Sequence, residues 1–295
     1  MSKHSVAAVA MSLALILNFG ATTAAFAGEY READVQAAIK ALASKDQSER
    51  KSAAFKLTEM GTAATSAVPT LIEIVQTDDT MSVRGEAAKA LGNIGAGAEP
   101  AVPALIAFLQ SKEGGYERTY AASALGGIGK KPEQAVPALI NALQHDQEPV
   151  VRELAARALG DFGSQAGDAI PALVEAIRTG DKDLRTAAAY GLAKIPARSS
   201  DAPVLIALLG DEIDSARLAA AKSLGGLGSD ASDAVPALAK LLTDKDATVR
   251  GAAADALGAI GPAAKGAVPD LKAALKDSEI HDHAEEALKR IKSAR

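Results

Sequence analysis

The sequence predicts an all-α protein, a right-handed α–α superhelix of about eight two-helix repeats. Three observations carry this reading. Arg50, Arg84, Arg118, Arg152, Arg185, Arg217 and Arg250 follow one another at spacings of 34, 34, 34, 33, 32 and 33 residues. Leu stands seven residues after each of them, from Leu57 to Leu257, and again at Leu288, seven after His281, which takes the Arg position in an eighth repeat. Pro69, Pro103, Pro137, Pro171, Pro203, Pro236 and Pro269 keep the same period, with Val35 in that place in the first repeat. A fixed period in this range is the signature of a stacked array.

The chain opens differently. Lys3 and His4 precede a charge-free apolar run from Ser5 to Phe19, and Ala25-Phe26-Ala27 is a small-x-small cleavage signal before Gly28. Residues 1–27 are expected to be a secretory signal peptide, because the run is shorter than the ~20 apolar residues a spanning helix needs. The rest, 28–295, is expected to be one solenoid, with repeats at about 31–64, 66–98, 100–132, 134–166, 168–199, 200–231, 233–264 and 266–293. The expected setting is exported, periplasmic or secreted, with no integral membrane segment once the signal is removed.

Within a repeat each residue type has a task. The prolines belong in the first turn of the first helix, where the backbone N–H has no intrahelical partner to lose. Ser66, Asp168 and Asp233 lie three residues earlier and are expected to cap it. Gly61, Gly95, Gly129, Gly163, Gly228 and Gly261 are expected to end the second helix in a left-handed conformation. Gly92, Gly126, Gly160, Gly225 and Gly258 fall inside the second helix, where Gly costs ~1 kcal/mol against Ala; their recurrence points to close helix approach. A first helix of about ten residues is marginal alone, so each repeat draws stability from its neighbours.

Composition agrees. Aromatics are 3% of 295 residues, with no Trp, so Ala, Leu, Val and Ile must fill thin layers. A net charge of −5 argues against nucleic acid as a partner. With no Cys, disulfides, thiol catalysis and Cys-based zinc sites are excluded.

The pattern VPxLxxLLxDxxxxVRxxAAxALGxIG, clearest at Val235–Gly261, resembles HEAT repeats, and most closely the compact bacterial subtype also found in the phycobilisome (PBS) lyase family. The resemblance covers about Arg31 to Ile291. It implies first helices on the convex side of an armadillo-like array and second helices lining the concave side. It also implies a ladder in which a turn Asp and the second-helix Arg link successive repeats: Asp78 and Arg84, Asp146 and Arg152, Asp211 and Arg217, Asp244 and Arg250. Ser44, Lys112 and Thr179 interrupt the Asp series, with Asp46 and Asp181 as possible substitutes.

Two irregularities break the array. KEGGYE at 112–117 replaces the acidic turn, and Pro196 replaces the closing Gly of repeat five; a local change of curvature is expected there. The charged ends, Arg31, Glu32 and Asp34 at one and His281–Lys292 at the other, read as polar caps.

No catalytic set is apparent. His281 and His283 are two apart and share no helix face, and His145 reads as a helix-end residue. There is no phosphate loop, no GxSxG elbow and no His-Glu iron pair. Catalytic residues, metals and cofactors are expected to be absent. Binding is expected on second-helix positions two, five and nine residues after the Arg, one stripe at helical spacing. Phe55, Lys89, Tyr120, Leu154, Arg157, Tyr190 and Lys194 fall on that stripe, with Tyr116 at its edge; aromatic and Arg residues are common interface anchors. The expected function is a non-catalytic scaffold that binds a protein or peptide. The alternatives are a bilin-lyase-like enzyme or accessory and a structural envelope-associated protein.

Overall fold

The computed structural model describes residues 30–293, and the expected signal peptide lies outside them. Among the described residues there are sixteen α-helices in eight consecutive pairs. The first helices are α1 (Glu32–Ala41), α3 (Val68–Thr77), α5 (Val102–Leu109), α7 (Pro132–His145), α9 (Ile170–Thr179), α11 (Ala202–Leu208), α13 (Val235–Leu241) and α15 (Val268–Ala274). The second helices are α2 (Gln47–Met60), α4 (Met81–Ile94), α6 (Arg118–Ile128), α8 (Pro149–Asp161), α10 (Lys182–Lys194), α12 (Asp214–Gly226), α14 (Ala247–Ile260) and α16 (His281–Ser293). No described residue is in a strand, and the chain is an all-α superhelical solenoid.

Five of the junctions between repeats are seven-residue 3-10 segments: 61–67, 95–101, 163–169, 228–234 and 261–267. Each passes directly into the next first helix in right-handed geometry, so the first-turn N–H groups already find carbonyls, as Val68 does at Thr65. The helix is entered without a side-chain cap, which corrects the expectation for Ser66, Asp168 and Asp233. The Ser66 hydroxyl instead donates to Glu32 (2.9 Å), and Asp168 accepts from Arg198 (2.9 Å). Six of the prolines occupy the second residue of a first helix; Pro137 lies inside α7, because this repeat enters its first helix earlier, from Lys131 at φ 51°.

All six closing glycines have positive φ, yet they are not alike. Gly129 is left-handed, with φ 59° and ψ 30°. Gly61, Gly95 and Gly261 have ψ between −127° and −139°, a mirror-extended region that residues with a Cβ avoid. The expected left-handed stop is thus replaced there by a sharper one, because the chain must turn straight into a 3-10 segment.

The core follows the period. Leu57, Leu91, Leu125, Leu159, Leu192, Leu224 and Leu257 are fully buried and Leu288 nearly so. The glycines within the second helices form a seam. A Cβ on Gly92 would lie 2.8 Å from Ala124 Cα, and one on Gly258 would lie 2.9 Å from Ala287 Cα. Second helices therefore pack backbone to backbone, each Gly against a small residue of the next repeat. In repeat five Ala193 replaces this Gly, and the pairing of α10 with α12 is the least extensive among neighbouring second helices.

Candidate functional site

Two side-chain systems run along the array. The first is the ladder between turns. Arg217 donates Nε and Nη2 to the Asp244 carboxylate at 2.7 and 2.8 Å, and Nη1 to the carbonyls of Asp211 and Glu212 in its own turn. Asp244 also accepts the N–H of Asp246 at 2.9 Å. The same guanidinium-between-turns arrangement joins Arg50 to Asp78 (2.6 Å), Arg118 to Asp146 (2.9 Å), Arg185 to Asp211 (2.5 Å) and Arg250 to Asp277 (2.7 Å). Exposed second carboxylates, Asp79, Glu212 and Glu279, join Arg50, Arg185 and Arg250.

These five Arg thus reach forward, to the Asp of the following repeat. Arg84 and Arg152 meet no carboxylate, because the turns ahead of them are those of repeats three and five. Arg84 compensates, placing its guanidinium 4.8 Å from the centre of the Phe108 ring and donating Nε to Val75 O at 2.7 Å. Arg152 does not: its Nε is buried and has no hydrogen-bond partner. In the turn facing it, Gly180 occupies the extended helix-end conformation that Asp78 and Asp146 adopt elsewhere. A Cβ there would lie 2.6 Å from Ala176 O and 2.9 Å from Leu184 Cδ2, so no Asp fits. Asp46 and Asp181 do not substitute either; they cap α2 and α10, accepting from Ser48 N (2.7 Å) and Leu184 N (2.9 Å).

Asp277 is the ladder residue that counting back from the helix misses. It lies four residues before His281, not six. Counting forward from the preceding Arg finds it, since the paired Asp always comes 26 to 28 residues later.

Electrostatics in the ladder are a balance. Burial pushes the Asp244 carboxyl up, but the Arg217 hydrogen bond, the Asp246 N–H and the Arg217 charge outweigh it and hold the group below the usual carboxylate range. Asp78 is lowered in the same way by Arg50 and the Thr80 N–H, against burial.

The second system is the stripe on the second helices, and only part of it is free. Positions two after the Arg turn toward the preceding second helix: Glu86, Ala187, Ala219 and Ala252 are buried, Tyr120 and Leu154 are half-buried, and Ser52, with no second helix before it, is exposed. Leu154 packs against the core. Tyr120 lies against α4, where a Cβ on Gly85 would come within 2.9 Å of its ring. Burial, and then Tyr116, Glu86 and Glu117, push the Tyr120 phenol up. These residues serve packing between repeats, which narrows the expected stripe to the positions five and nine after the Arg.

Those two columns carry exposed aromatic rings beside cations. The Phe55 ring is 46% exposed, and Lys89 Nζ stands 5.6 Å from its centre; Lys89 also meets Glu86 at 3.5 Å. Tyr190, also 46% exposed, has Arg157 Cζ at 5.3 Å and Lys194 Nζ at 4.5 Å from its ring centre. Lys194 donates to Asp161 at 2.7 Å. Burial alone would lower the Lys194 ammonium pKa, but Asp161 and Tyr190 outweigh it and raise it. Tyr116, equally exposed, meets Tyr120 edge to face at 6.1 Å. Sequence reasoning missed Asp161 as the partner of Lys194, though the two occupy the same column in adjacent repeats.

The histidines are occupied by structural contacts. His281 Nδ1 meets Leu275 O and His283 Nδ1 meets Asp255, at 2.7 and 2.8 Å. Among the described residues no helix is long and apolar enough to cross a membrane.

Stacked helix pairs, a core repeated in register and a ladder between turns define an α-solenoid repeat protein. The family model for HEAT repeats matches residues 35–126, 102–193, 136–225 and 202–289, and the chain belongs to that family. None of the curated proteins matches it. Among solved structures it is similar to an engineered protein of the Northeast Structural Genomics Consortium, at 29% identity over 88% of this chain and 78% of that one, with a TM-score of 0.60. It is also similar in fold to Kap121p (18% identity, 88% of this chain, 33% of that chain, TM-score 0.56) and to Kap121p bound to Pho4p (17%, 90%, 34%, TM-score 0.57). The chain thus spans about a third of Kap121p.

Proposed function

We propose that this chain is an exported, non-catalytic scaffold that binds a protein or peptide partner on the concave face lined by its second helices. One observation carries the reading: Phe55, Tyr116 and Tyr190, three of the five large apolar side chains most exposed among the described residues, all belong to the second helices or the turn that leads into one. An exposed ring beside a cation costs solubility and adds little stability, whereas such pairs are common interface anchors. Curvature supports the choice of face. Second helices approach backbone to backbone, while first helices touch one another little, and the more closely spaced layer of a curved array is its inner side. Kap121p was solved bound to Pho4p and to Nup53p, which agrees with a partner-binding use of a similar fold. Export rests on residues 1–27: a short polar start, an apolar run and Ala25-Phe26-Ala27.

Photo-crosslinking residues placed at 123, 157 and 190, against others at Asn141 and Lys272 on first helices, test the face in the native host. Adducts confined to the first set are expected; adducts confined to the second overturn the reading. A mature N-terminus at Gly28 in the extracytoplasmic fraction is expected, and full-length chain retained in the cytoplasm would overturn export.

A further inference from the structure

The free columns of the second helices differ in charge from the rest of the molecule. In repeats two to six, the positions five and nine residues after the Arg hold Lys89, Arg157, Lys194 and Lys222 against one carboxylate, Asp161. The whole chain is net −5. Asp161 is already paired with Lys194. Among the described residues, no carboxylate lies within ion-pair distance of Arg157 or of the exposed Lys222. Arg157 instead rests against Tyr190, 5.3 Å from the ring centre, one helical turn from Glu153, whose carboxyl feels its charge without forming an ion pair. Arg157, Tyr190 and Lys222 each stand five residues after the Arg of consecutive repeats, so they form a row across three helices with the ring in the middle.

The spacing of that row selects a chain conformation. Neighbouring helix axes are ~8–10 Å apart. A polyproline-II strand rises 3.1 Å per residue with three residues per turn, so equivalent side chains recur about every 9 Å. One turn of such a strand therefore matches one helix of the array, and the step from Arg157 to Lys222 takes about six residues. The part of the Tyr190 ring that Arg157 and Lys194 leave open, with the residue 46% exposed, accepts a proline or aliphatic side chain while the cations take carboxylates.

Resting on the scaffold reading above, we propose that the row Arg157, Tyr190 and Lys222, with Lys194 beside it, binds an acidic segment of a partner protein in extended polyproline-II form. Two carboxylates about six residues apart meet Arg157 and Lys222, and an intervening proline lies on Tyr190.

The test uses the mature chain and a fluorescent peptide, Glu-(Pro)5-Glu with blocked ends, read by anisotropy at low and moderate salt. Arg157→Gln, Lys222→Gln and Tyr190→Leu are each expected to weaken binding at least tenfold, with circular dichroism and melting temperature unchanged. Lys272→Gln, on a first helix, is expected to leave it unchanged, and the Gln-(Pro)5-Gln peptide is expected not to bind. Equal binding of the glutamate and glutamine peptides, or equal binding by Arg157→Gln and Lys272→Gln, overturns the proposal. So does tighter binding of a single-stranded oligonucleotide to the same row. If crosslinks still map to the second-helix face while the acidic peptide fails, the partner's chemistry is wrong and the scaffold reading stands; crosslinks confined to the first helices remove both.

Discussion

The Arg217 guanidinium and the Asp244 carboxylate meet in two parallel hydrogen bonds, 2.7 and 2.8 Å, across the boundary between the sixth and seventh repeats. Their side chains are 7% and 8% exposed. A forked Arg–carboxylate pair is among the stronger polar contacts available, and here it also closes two turns, because Arg217 binds its own turn's carbonyls and Asp244 binds the Asp246 N–H. The pair ties the turns of consecutive repeats together, at one end of second helices whose glycines already meet the next repeat backbone to backbone.

Removing one partner leaves the other buried and unpaired. Arg217→Met is expected to destabilise by ~3–5 kcal/mol, read as a fall in the urea midpoint. Arg152→Met is expected to cost nothing and to gain up to ~1 kcal/mol, since it deletes a guanidinium whose buried Nε has no partner while keeping the apolar stem. A large loss at Arg152 would show that its charge is satisfied in solution and that the ladder is not broken there.

Arg84 should fall between them. It has no carboxylate, but it keeps the Phe108 ring and the Val75 carbonyl. Arg84→Met is expected to cost about 1–2 kcal/mol, the sum of a cation–π contact and one hydrogen bond. The midpoints of the three variants should order as Arg152→Met, Arg84→Met, Arg217→Met, from highest to lowest.

The ladder also sets an acid limit. Asp244 and Asp78 have folded pKa values lowered below the ordinary one. A depressed carboxylate contributes stability that is fully present above the unfolded pKa of ~3.9 and is lost as pH falls through the lower folded value. Melting temperature should therefore hold steady toward neutral pH and drop steeply below about pH 4. Asp244→Asn should start lower and fall less over that range. Parallel curves for the two proteins would show that Asp244 is not a linked group.

How much of this was legible beforehand follows from what a period constrains. The Arg, Leu, Pro and Gly series mark where each helix begins, what it buries and where it ends, because those tasks are local to one repeat. They do not say which neighbour a long side chain reaches. Arg84 and Asp78 share a turn in the sequence, yet Asp78 serves Arg50. The first-helix caps were misplaced for a similar reason: Ser66 stands where a cap would, but the 3-10 segment makes one unnecessary and frees its hydroxyl for Glu32. Helical spacing placed Phe55, Tyr190 and Lys194 on an open face and Arg157 partly so. It was misleading at Tyr120 and Leu154, because helical spacing describes one helix in isolation, and the neighbouring second helix covers that flank.

The glycine seam gives a prediction in which two effects oppose each other. Ala is favoured over Gly in a helix by ~1 kcal/mol, so any Gly→Ala change starts with a gain. At Gly92 the added Cβ would lie 2.8 Å from Ala124 Cα and 3.1 Å from its Cβ; neither can move without shifting the whole of α6. Such overpacking costs ~1–3 kcal/mol, which exceeds the propensity gain. At Gly226, in the last turn of α12, a Cβ would meet nothing within 4 Å, so a gain of a few tenths up to ~1 kcal/mol should survive. Gly92→Ala is thus expected to lower the melting temperature and Gly226→Ala to raise it. If both rose, the second helices would stand farther apart than backbone contact, and the proposal that their layer forms the inner side of the curve would lose its support.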